Sequence, residues 1–392
     1  MSLSPQQPCT LAARSGVDRD VAHGAVMPPL YLSSNYAFEG FDRKRPYDYT
    51  RSGNPTRDLL GETLAGLEHG SGCVVTATGM AAIDLVLSRL GPDDLLVAPH
   101  DGYGGTCRLL NARAGKGQFR VRFIDQGDPA ALDEALALKP RLVLVETPSN
   151  PLLRIVDIAA ICARARAAGA QVAVDNTFLS PALQQPIRLG ADFVLHSTTK
   201  YINGHSDVVG GAVVSAAAAD HEALAWWANC TGVTGSPFDA YLTLRGVRTL
   251  FARMGQQQAS ALRIARFLEV HPAVGAVHYP GLACHPQHAL AQRQQAGPGA
   301  MLSFELEGGP DAVRRLTEAT RLFTLAESLG GVESLIAHPA TMTHAAMTAE
   351  QRATAGIGDA LLRLSIGLED VNDLIRDLDR ALDAAPAAVR AA

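Results

Sequence analysis

The fold of this 392-residue chain is decided by the stretches LVLVETPSNP (residues 142–151), QVAVDNT (171–177) and ADFVLHSTTK (191–200). Each contains a short apolar run of the kind that forms a buried strand in a parallel sheet. Between the first two stretches, IAAICARARAAG (158–169) has the spacing of a helix and ends in a glycine. This alternation predicts an α/β fold in which helices cover both faces of a mostly parallel, doubly wound sheet.

The same alternation extends outward on the N-terminal side. LLVAP (95–99) and FRVRFID (119–125) are further predicted strands, and GMAAIDLVLSRLG (79–91) is a predicted helix. Residues 1–60 have little helical periodicity and are rich in Pro, Gly and Tyr. We expect an extended arm there, and a segment of that length is expected to be functional or to pack on a partner subunit.

After about residue 255 the pattern changes, which predicts a smaller α+β domain. The elements predicted there are a helix at 259–272, strands at 274–278, 301–308, 335–339 and 361–367, and a final helix from 370 to about 382. The chain is therefore divided into an arm (1–60), a large ligand-binding domain (61–255) and a C-terminal domain (256–392).

Composition argues against several classes of function. The chain is 47% hydrophobic and 19% charged, its formal net charge is −5, and it has no long basic run, so we expect no nucleic-acid or membrane partner. The N-terminal segment has no apolar signal core and no apolar run is long enough to span a bilayer, which predicts a cytoplasmic protein. The six cysteines are irregularly spaced, as is typical of a reducing compartment, and we expect no metal site.

Polar side chains follow each of the three strands named first. Ser149 and Asn150 come after the first, Asp175 ends the second, and Ser197 and Lys200 lie in the segment after the third. The carboxyl ends of parallel strands meet at one edge of the sheet, where such folds bind ligands, so we expect these tips to form a site. Each tip alone has a simpler interpretation, because Asp and Asn are common turn formers and a single lysine is usually solvated.

Together these residue types match what pyridoxal 5′-phosphate (PLP) needs. Lys200 supplies an amine for an imine with the aldehyde, and Asp175 supplies an anion that keeps the pyridine nitrogen protonated. The helix that opens at Gly79 offers backbone N–H donors for the phosphate, and Tyr103 offers a flat ring for stacking. A dehydrogenase would need a G-x-G-x-x-G turn after its first strand, which the sequence does not have. A regulator that kept only the scaffold would have lost Lys200 or Asp175.

The run DFVLHSTTKYINGHSDVVGG (192–211) carries a resemblance that extends from GAVMPPLYLSSNY (24–36) to LLRLSIGLED (361–370). The chain resembles the cystathionine γ-synthase, γ-lyase and β-lyase family, the Cys/Met metabolism group of PLP enzymes. The resemblance implies the PLP-dependent transferase fold type I (aspartate aminotransferase-like), with a mostly parallel seven-stranded sheet domain and a smaller C-terminal α+β domain. It also implies small amino-acid substrates and a Schiff base between PLP and Lys200.

The cofactor residues of the family fall on matching positions of this chain. The resemblance implies that Asp175 faces the pyridine nitrogen and that Tyr103 stacks on the ring. The residues that it implies for the phosphate are Gly79, Met80, Ser197 and Thr199.

Tyr49 and Arg51, in YDYTRSGNPTR, match arm residues that in this family reach the phosphate of the neighbouring subunit. Their spacing of two residues would place both on one face of an extended segment. The resemblance then implies a homotetramer, built as a dimer of active dimers, in which each site is incomplete without its partner. The simpler interpretation of Arg51 is a solvated charge on the arm.

The substrate residues are also implied by the resemblance. Arg363 would hold the substrate α-carboxylate in a fork. Ser328 would contact the same group, and Asn150 would lie near this carboxylate and the ring hydroxyl of PLP. Glu327 would meet the amino group of the second amino acid. Arg108 would bind the distal carboxylate of an O-succinyl group, or it is an ordinary surface arginine of a helix.

The reaction within the family is chosen from particular stretches. The acid at Glu327 argues against a β-lyase, and the chain length argues against the O-acetylhomoserine sulfhydrylase branch. Three stretches resemble the bacterial synthase: APHDGYGGTCRLL (98–110), WWANCTGVTG (226–235) and FTLAESLGGVESLIAHPATMTHA (323–345). We therefore expect γ-replacement of O-succinyl-L-homoserine by L-cysteine to give L-cystathionine and succinate, with Lys200 as the base and Tyr103 and Tyr49 as candidates for proton handling.

Two alternatives remain open from the sequence. One is cystathionine γ-lyase, which breaks cystathionine down, and the other is an enzyme of the same type that uses O-acetylhomoserine. His205 and Asp207 lie next to the Lys200 segment, and we expect a structural role for them.

Overall fold

Two β-sheets organise the part of the chain that this computed structural model describes, residues 6–345 and 347–384. The seven strands of the first sheet are, in chain order, β1 (Gly72–Thr76), β2 (Leu95–Pro99), β3 (Arg120–Ile124), β4 (Leu142–Glu146), β5 (Gln171–Asp175), β6 (Phe193–His196) and β7 (Gly211–Ser215). Their spatial order is β1-β7-β6-β5-β4-β2-β3. Strand β7 is antiparallel to both of its neighbours and the other adjacent pairs are parallel. The predicted mostly parallel, seven-stranded sheet is confirmed.

The second sheet is smaller and mostly antiparallel. Its strands are β8 (Val274–His278), β9 (Met301–Leu306), β10 (Thr324–Leu325), β11 (Leu335–Ala337) and β12 (Leu361–Ser365), in the spatial order β10-β11-β12-β9-β8. The predicted second α+β unit is therefore also confirmed. The division of the chain after residues 60 and 255 stays a prediction, and positions 1–5, 346 and 385–392 of those divisions lie outside the described residues.

Helices connect the strands and cover both faces of the large sheet. They are α1 (Pro8–Ala13), α2 (Pro55–Glu68), α3 (Gly79–Leu87), α4 (Gly104–Gly115), α5 (Pro129–Ala137), α6 (Ile158–Ala167), α7 (Ser180–Leu183), α8 (Ala218–Thr231), α9 (Pro237–Val247), α10 (Leu250–Glu269), α11 (His288–Gln294), α12 (Gly309–Ala319), α13 (Ala349–Ala355) and α14 (Val371–Asp383). Side chains cap several of their starts: Asn54 accepts from the N–H of Thr56 at 3.0 Å, and Thr78 and Asp370 cap α3 and α14 in the same way.

The central strands are apolar except at their ends because both of their faces are buried. In β4, Leu142 and Leu144 pack in a cluster with α3, whereas Val143 and Val145 pack on the opposite face with α6. Strand β6 alternates in the same way, with Leu195 on the α3 face and Val194 on the face of α2. This burial on two sides explains why continuous apolar runs predict these strands so well.

Some elements differ from the sequence expectation. Strands β1 and β7 are not among the strands expected from the sequence, although each has two adjacent valines; they form an antiparallel pair that runs from Gly72 with Ser215 to Thr76 with Gly211. Helix α2 begins at Pro55, inside the expected arm, and α10 begins at Leu250 rather than at 259. Among the described residues, no helix has the length and hydropathy required to cross a membrane.

Candidate active site

The large sheet brings the predicted strand tips to one edge. Glu146 at the end of β4 pairs in register with Asp175 at the end of β5, and Asp175 pairs with Leu195 of β6. The chain then turns through the segment that ends at Lys200. The tips named from the sequence therefore lie side by side, as expected for ligand sites of this fold.

Lys200 lies in contact with the C-terminal part of the chain. Its Nζ donates a hydrogen bond to Ser328 Oγ at 2.5 Å. Burial, and after it the positive charge of Arg363, lowers the pKa of Lys200 to about 8, and the negative charge of Glu327 opposes both effects. About a fifth of the Lys200 population is therefore neutral near pH 7.4, far more than for an ordinary lysine, and the neutral amine is the form that attacks an aldehyde.

Arg363 reaches this point from strand β12 and is buried. Its Nη1 donates to Asn150 Oδ1 at 3.1 Å and its Nη2 donates to the backbone oxygen of Ser328 at 2.7 Å. Its buried Nε has no hydrogen-bond partner among the described residues. Burial lowers the pKa of Arg363 to about 10, so it remains a cation at neutral pH, with Glu327 opposing the shift. A buried cation with an unused donor fits an incoming carboxylate.

Asp175 is a carboxylate without a cationic partner. Its Oδ1 accepts a hydrogen bond from the N–H of Thr177 at 3.0 Å, and no Lys or Arg of the described chain forms an ion pair with it. Burial raises the pKa of the Asp175 carboxyl, while the Thr177 hydrogen bonds oppose the rise. Such a group needs a positive partner, and the protonated nitrogen of a pyridine ring fits that need.

Glu146 is a site residue that the sequence reasoning missed. Its Oε2 accepts from the backbone N–H of Tyr103 at 2.7 Å, so it holds the Tyr103 loop against the strand tips. Burial, together with the neighbouring Asp175, raises the pKa of the Glu146 carboxyl well above its ordinary value. Its position at the end of β4, in ETPSNP, was the available signal.

The start of α3 forms a cradle for an anion. Thr78 Oγ1 accepts from the N–H of Ala81 at 2.9 Å, whereas the N–H groups of Gly79 and Met80 have no acceptor within the helix. A Cβ at Gly79 would lie 2.8 Å from the Cβ of Ser197, so only glycine permits this close approach.

The two hydroxyls predicted for the phosphate differ in their contacts. The Ser197 hydroxyl makes no hydrogen bond to a described residue and remains available. Thr199 Oγ1 accepts from Gly210 N–H at 3.0 Å and donates to Gly210 O at 3.2 Å. Thr199 would therefore have to turn its O–H away from Gly210 to bind a phosphate.

The Tyr103 ring is 42% exposed and lies beside the start of α4. A Cβ at Gly105 would lie 2.5 Å from Tyr103 Cε1, so the ring rests directly on this glycine. Arg108, one turn further along α4, is exposed and forms no hydrogen bond or ion pair with a described residue. Glu327 is exposed as well, and its charge acts on both Lys200 and Arg363.

Tyr49 and Arg51 lie in the N-terminal arm and are not part of the hydrogen-bonded cluster around Lys200 in the described chain. The expectation that they share an extended segment is wrong: the N–H groups of Ser52 and Gly53 both donate to Tyr49 O and form a turn. The turn still brings the Arg51 guanidinium to 5.7 Å from the centre of the Tyr49 ring. Arg51 donates to Asn229 O at 2.7 Å, and within the described chain neither side chain contacts Lys200 or Asp175 by a hydrogen bond. Both line a cavity of about 480 Å³.

His205 and Asp207 hold the loop that follows Lys200. His205 Nδ1 lies 2.7 Å from Asn203 O, and Asp207 Oδ1 accepts from Asn203 Nδ2 at 2.7 Å. These contacts are structural, in agreement with the role expected from the sequence.

The profile of the Cys/Met metabolism PLP-dependent enzyme family matches residues 9–383. The chain belongs to this family. PLP is therefore its cofactor, and the predicted family, fold and cofactor are confirmed. The Escherichia coli (strain K12) family member cystathionine gamma-synthase is 58% identical over 377 residues, which cover 96% of this chain and 98% of that protein.

A solved synthase structure and a lyase sequence from the same family are also similar to this chain. The solved structure of cystathionine gamma synthase from Xanthomonas oryzae pv. oryzae in complex with cystathionine matches with a TM-score of 0.97 at 63% identity, and covers 97% of this chain and 99% of that one. A cystathionine gamma-lyase of Dictyostelium discoideum is 44% identical, over 95% of this chain and 97% of that protein. The similarity is thus greater to these synthases than to this lyase.

The lowered pKa of Lys200 predicts how the cofactor-free protein captures PLP. Since the neutral amine is the majority form above about pH 8, the capture rate should rise about tenfold per pH unit below that value and level off above it. Stopped-flow absorbance between about pH 6.5 and 9.5 measures this, with Nα-acetyl-lysine as the control for an ordinary amine. A rate that keeps climbing in parallel with the control would contradict the lowered pKa.

Proposed function

We propose that this enzyme catalyses the γ-replacement of O-succinyl-L-homoserine by L-cysteine, which gives L-cystathionine and succinate. The observation that carries the proposal is the cluster in which the Lys200 amine, of lowered pKa, meets the buried and incompletely paired Arg363 through Ser328. This cluster combines a proton-transferring base with a receptor for an α-carboxylate. The greater similarity to cystathionine gamma-synthases supports the choice of reaction within the family.

The residues described above would hold the cofactor. Bound at Lys200, PLP supplies an electron sink that stabilises negative charge on the carbon next to the substrate amino group. Asp175 would keep the ring nitrogen protonated, and the Tyr103 ring would cover one face. The N–H groups at the start of α3 would bind the phosphate.

The chain's own groups would then position the substrate and move its protons. Arg363 would bind the α-carboxylate, and Lys200, displaced from the cofactor by the substrate amine, would take the proton from Cα. A base with a pKa near neutrality suits this step, because it can both accept and return the proton. Loss of a second proton from Cβ would expel succinate from Cγ. The cysteine thiolate would add at Cγ, and return of one proton each to Cβ and Cα would complete L-cystathionine. Tyr103 and Tyr49 are candidates for proton handling.

The two outer charges would select the two substrates. Arg108, exposed and without a partner in the described chain, would bind the distal carboxylate of the succinyl group. Glu327 would meet the amino group of the incoming cysteine. Of these two exposed charges, Glu327 acts on both Lys200 and Arg363, which supports its place beside the reacting groups.

A direct comparison of two reactions tests the proposal. Purified enzyme would be given O-succinylhomoserine with cysteine, and separately cystathionine alone, with succinate, cystathionine and 2-oxobutyrate measured in each. We expect synthesis to be much faster than breakdown. Faster breakdown of cystathionine would make the enzyme a γ-lyase, the alternative left open by the sequence.

Removal of Arg108 should discriminate between acyl groups. Arg108→Ala should raise KM for O-succinylhomoserine about tenfold, the value of one exposed charge-assisted contact. KM for O-acetylhomoserine, which has no distal carboxylate, should change little and serves as the internal control. An equal rise in KM for both substrates would show that Arg108 does not bind the acyl group.

We further propose that the enzyme is a cytoplasmic homotetramer made of two active dimers. The support for shared sites is that Tyr49 and Arg51 lie together on a cavity but contact neither Lys200 nor Asp175 of their own chain. They would complete the phosphate site of the neighbouring subunit. The cytoplasmic location is supported by the six cysteines, none of which forms a disulfide in the described chain.

Mixed subunits test the shared site. Lys200→Ala and Arg51→Ala homo-oligomers should each have low activity, but unfolding and refolding them together should restore about a quarter of the sites, because half of random dimers are mixed and each contains one intact site. Activity per subunit after equimolar mixing measures this. No recovery beyond the sum of the two parents would show that Arg51 does not act across the interface.

A further inference from the structure

A buried polar network lies beneath the edge of the sheet that carries the site. Glu68, the last residue of α2, is fully buried, and a single oxygen, Oε1, accepts two hydrogen bonds. His196 Nε2 lies 2.7 Å from it and Asn176 Nδ2 lies 2.9 Å from it. His196 ends strand β6 and Asn176 follows strand β5, so one carboxylate joins the tips of two neighbouring strands.

Gln184 extends this network to a third strand. Its Nε2 lies 3.0 Å from Asn176 Oδ1 and 2.9 Å from the backbone oxygen of Thr147, which follows β4. Asn176 Nδ2 also donates to Gln184 O at 2.8 Å. The three joined residues are each adjacent in sequence to a residue of the site: Thr147 to Glu146, Asn176 to Asp175, and His196 to Ser197.

The network lies on the opposite face of the sheet from the cofactor site. Asp175 pairs with Leu195, which packs on the α3 face, so the next residue, His196, points to the α2 face. Glu68 therefore cannot touch PLP and acts only through the strand tips. His196 also opposes the burial-driven rise in the pKa of the Asp175 carboxyl across the sheet.

A buried carboxylate such as that of Glu68 costs free energy of desolvation, which a residue with a purely structural role would not need. Glu68 Oε2 and His196 Nδ1 are buried without a hydrogen-bond partner among the described residues, and apolar side chains of similar size usually fill such space at least as well. Hydrogen bonds to a carboxylate are, however, short and directional, which makes them suited to fixing a spacing.

We propose that Glu68 is a positioning residue, which fixes the spacing between Asp175 and the Ser197–Lys200 segment by tying their strand tips from the opposite face, and thereby sets the affinity for PLP. The inference rests on the placement of PLP at Lys200 and Asp175 made under the proposed function, but not on which substrate is used.

Glu68→Gln tests this with little change of shape. The amide oxygen can still accept, but without the charge both hydrogen bonds weaken, so we expect the dissociation constant of PLP to rise about tenfold and the absorption band of the bound cofactor to shift. Glu68→Ala, which removes the acceptor, should weaken PLP binding further. The matched control is Asp377→Asn: Asp377 is a buried carboxylate that accepts from the N–H groups of Arg321 and Leu322 at 2.9 and 2.8 Å, among the helices of the C-terminal part.

The measurements are equilibrium PLP binding, the visible absorption spectrum and Tm of the cofactor-free protein. Asp377→Asn should lower Tm but leave the PLP affinity and the absorption spectrum unchanged. Glu68→Gln should change both the PLP affinity and the absorption spectrum. If Glu68→Gln lowers Tm but binds PLP with wild-type affinity and spectrum, the positioning role is overturned; this variant alone decides if Glu68→Ala fails to fold. A wild type that binds PLP but does not form cystathionine would refute the proposed function and leave this inference standing.

Discussion

Replacing Lys200 with alanine should lower kcat on the order of 10⁴-fold or more, because it removes the anchor of the cofactor and the base for Cα in one step. The neighbouring Ser328 hydroxyl, which receives the Lys200 hydrogen bond at 2.5 Å, is too weak a base to substitute. Succinate release from O-succinylhomoserine, with and without cysteine, measures the loss. Borohydride should fix PLP covalently to the wild type and not to this variant.

Two controls separate this effect from a general loss of structure. Lys116→Ala, which removes an exposed lysine at the end of α4, should retain wild-type turnover and borohydride labelling. Lys200→Arg should retain the positive charge but not the labelling, because a guanidinium remains protonated. Turnover by Lys200→Ala within tenfold of the wild type would rule out the assignment of Lys200.

The strands that position the site could be predicted because a buried strand is apolar in its own sequence. LVLVE, QVAVD and FVLH are apolar on both faces, and each ends in polar residues where the sheet reaches its ligand edge. Strands β1 and β7 were missed although each contains two valines, because GCVVT and GAVVS also contain glycine and small residues, and the pairing of β1 with β7 joins segments far apart in sequence. Local preference cannot report a pairing of that kind.

Some residues of the site could be predicted from the sequence, whereas the contacts between them could not. Asp175 and Lys200 lie at or just after the ends of predicted strands, and this position indicates a site. The contact of Arg363 with Asn150, by contrast, depends on how the second sheet packs on the first. Glu146 and Glu68 were missed for a related reason: in sequence, one is an ordinary strand end and the other an ordinary helix end. Only the three-dimensional arrangement shows that Glu146 binds the backbone of Tyr103 and that Glu68 joins the residues next to Asp175 and Ser197.

Arg363→Lys should lower kcat/KM for O-succinylhomoserine about 10²- to 10³-fold, although it retains the positive charge. In the free protein, two nitrogens of Arg363 bind Asn150 Oδ1 and Ser328 O, while Nε remains unpaired. The guanidinium can therefore hold these two acceptors and still offer a donor to the substrate. An ammonium has one nitrogen in place of three, and it cannot occupy all of these positions.

A substrate analogue makes this prediction specific for the α-carboxylate. With the α-carboxamide of the substrate, the wild type should lose about as much kcat/KM as Arg363→Ala loses with the acid, because both remove the same buried charge pair. Combining the analogue with Arg363→Ala should then cost little more. Fully additive losses would mean that Arg363 does not bind this carboxylate and instead supports Asn150 and Ser328. PLP affinity, measured in parallel, separates a loss of substrate binding from a weaker hold on the cofactor through Asn150, which receives a hydrogen bond from Arg363 at 3.1 Å.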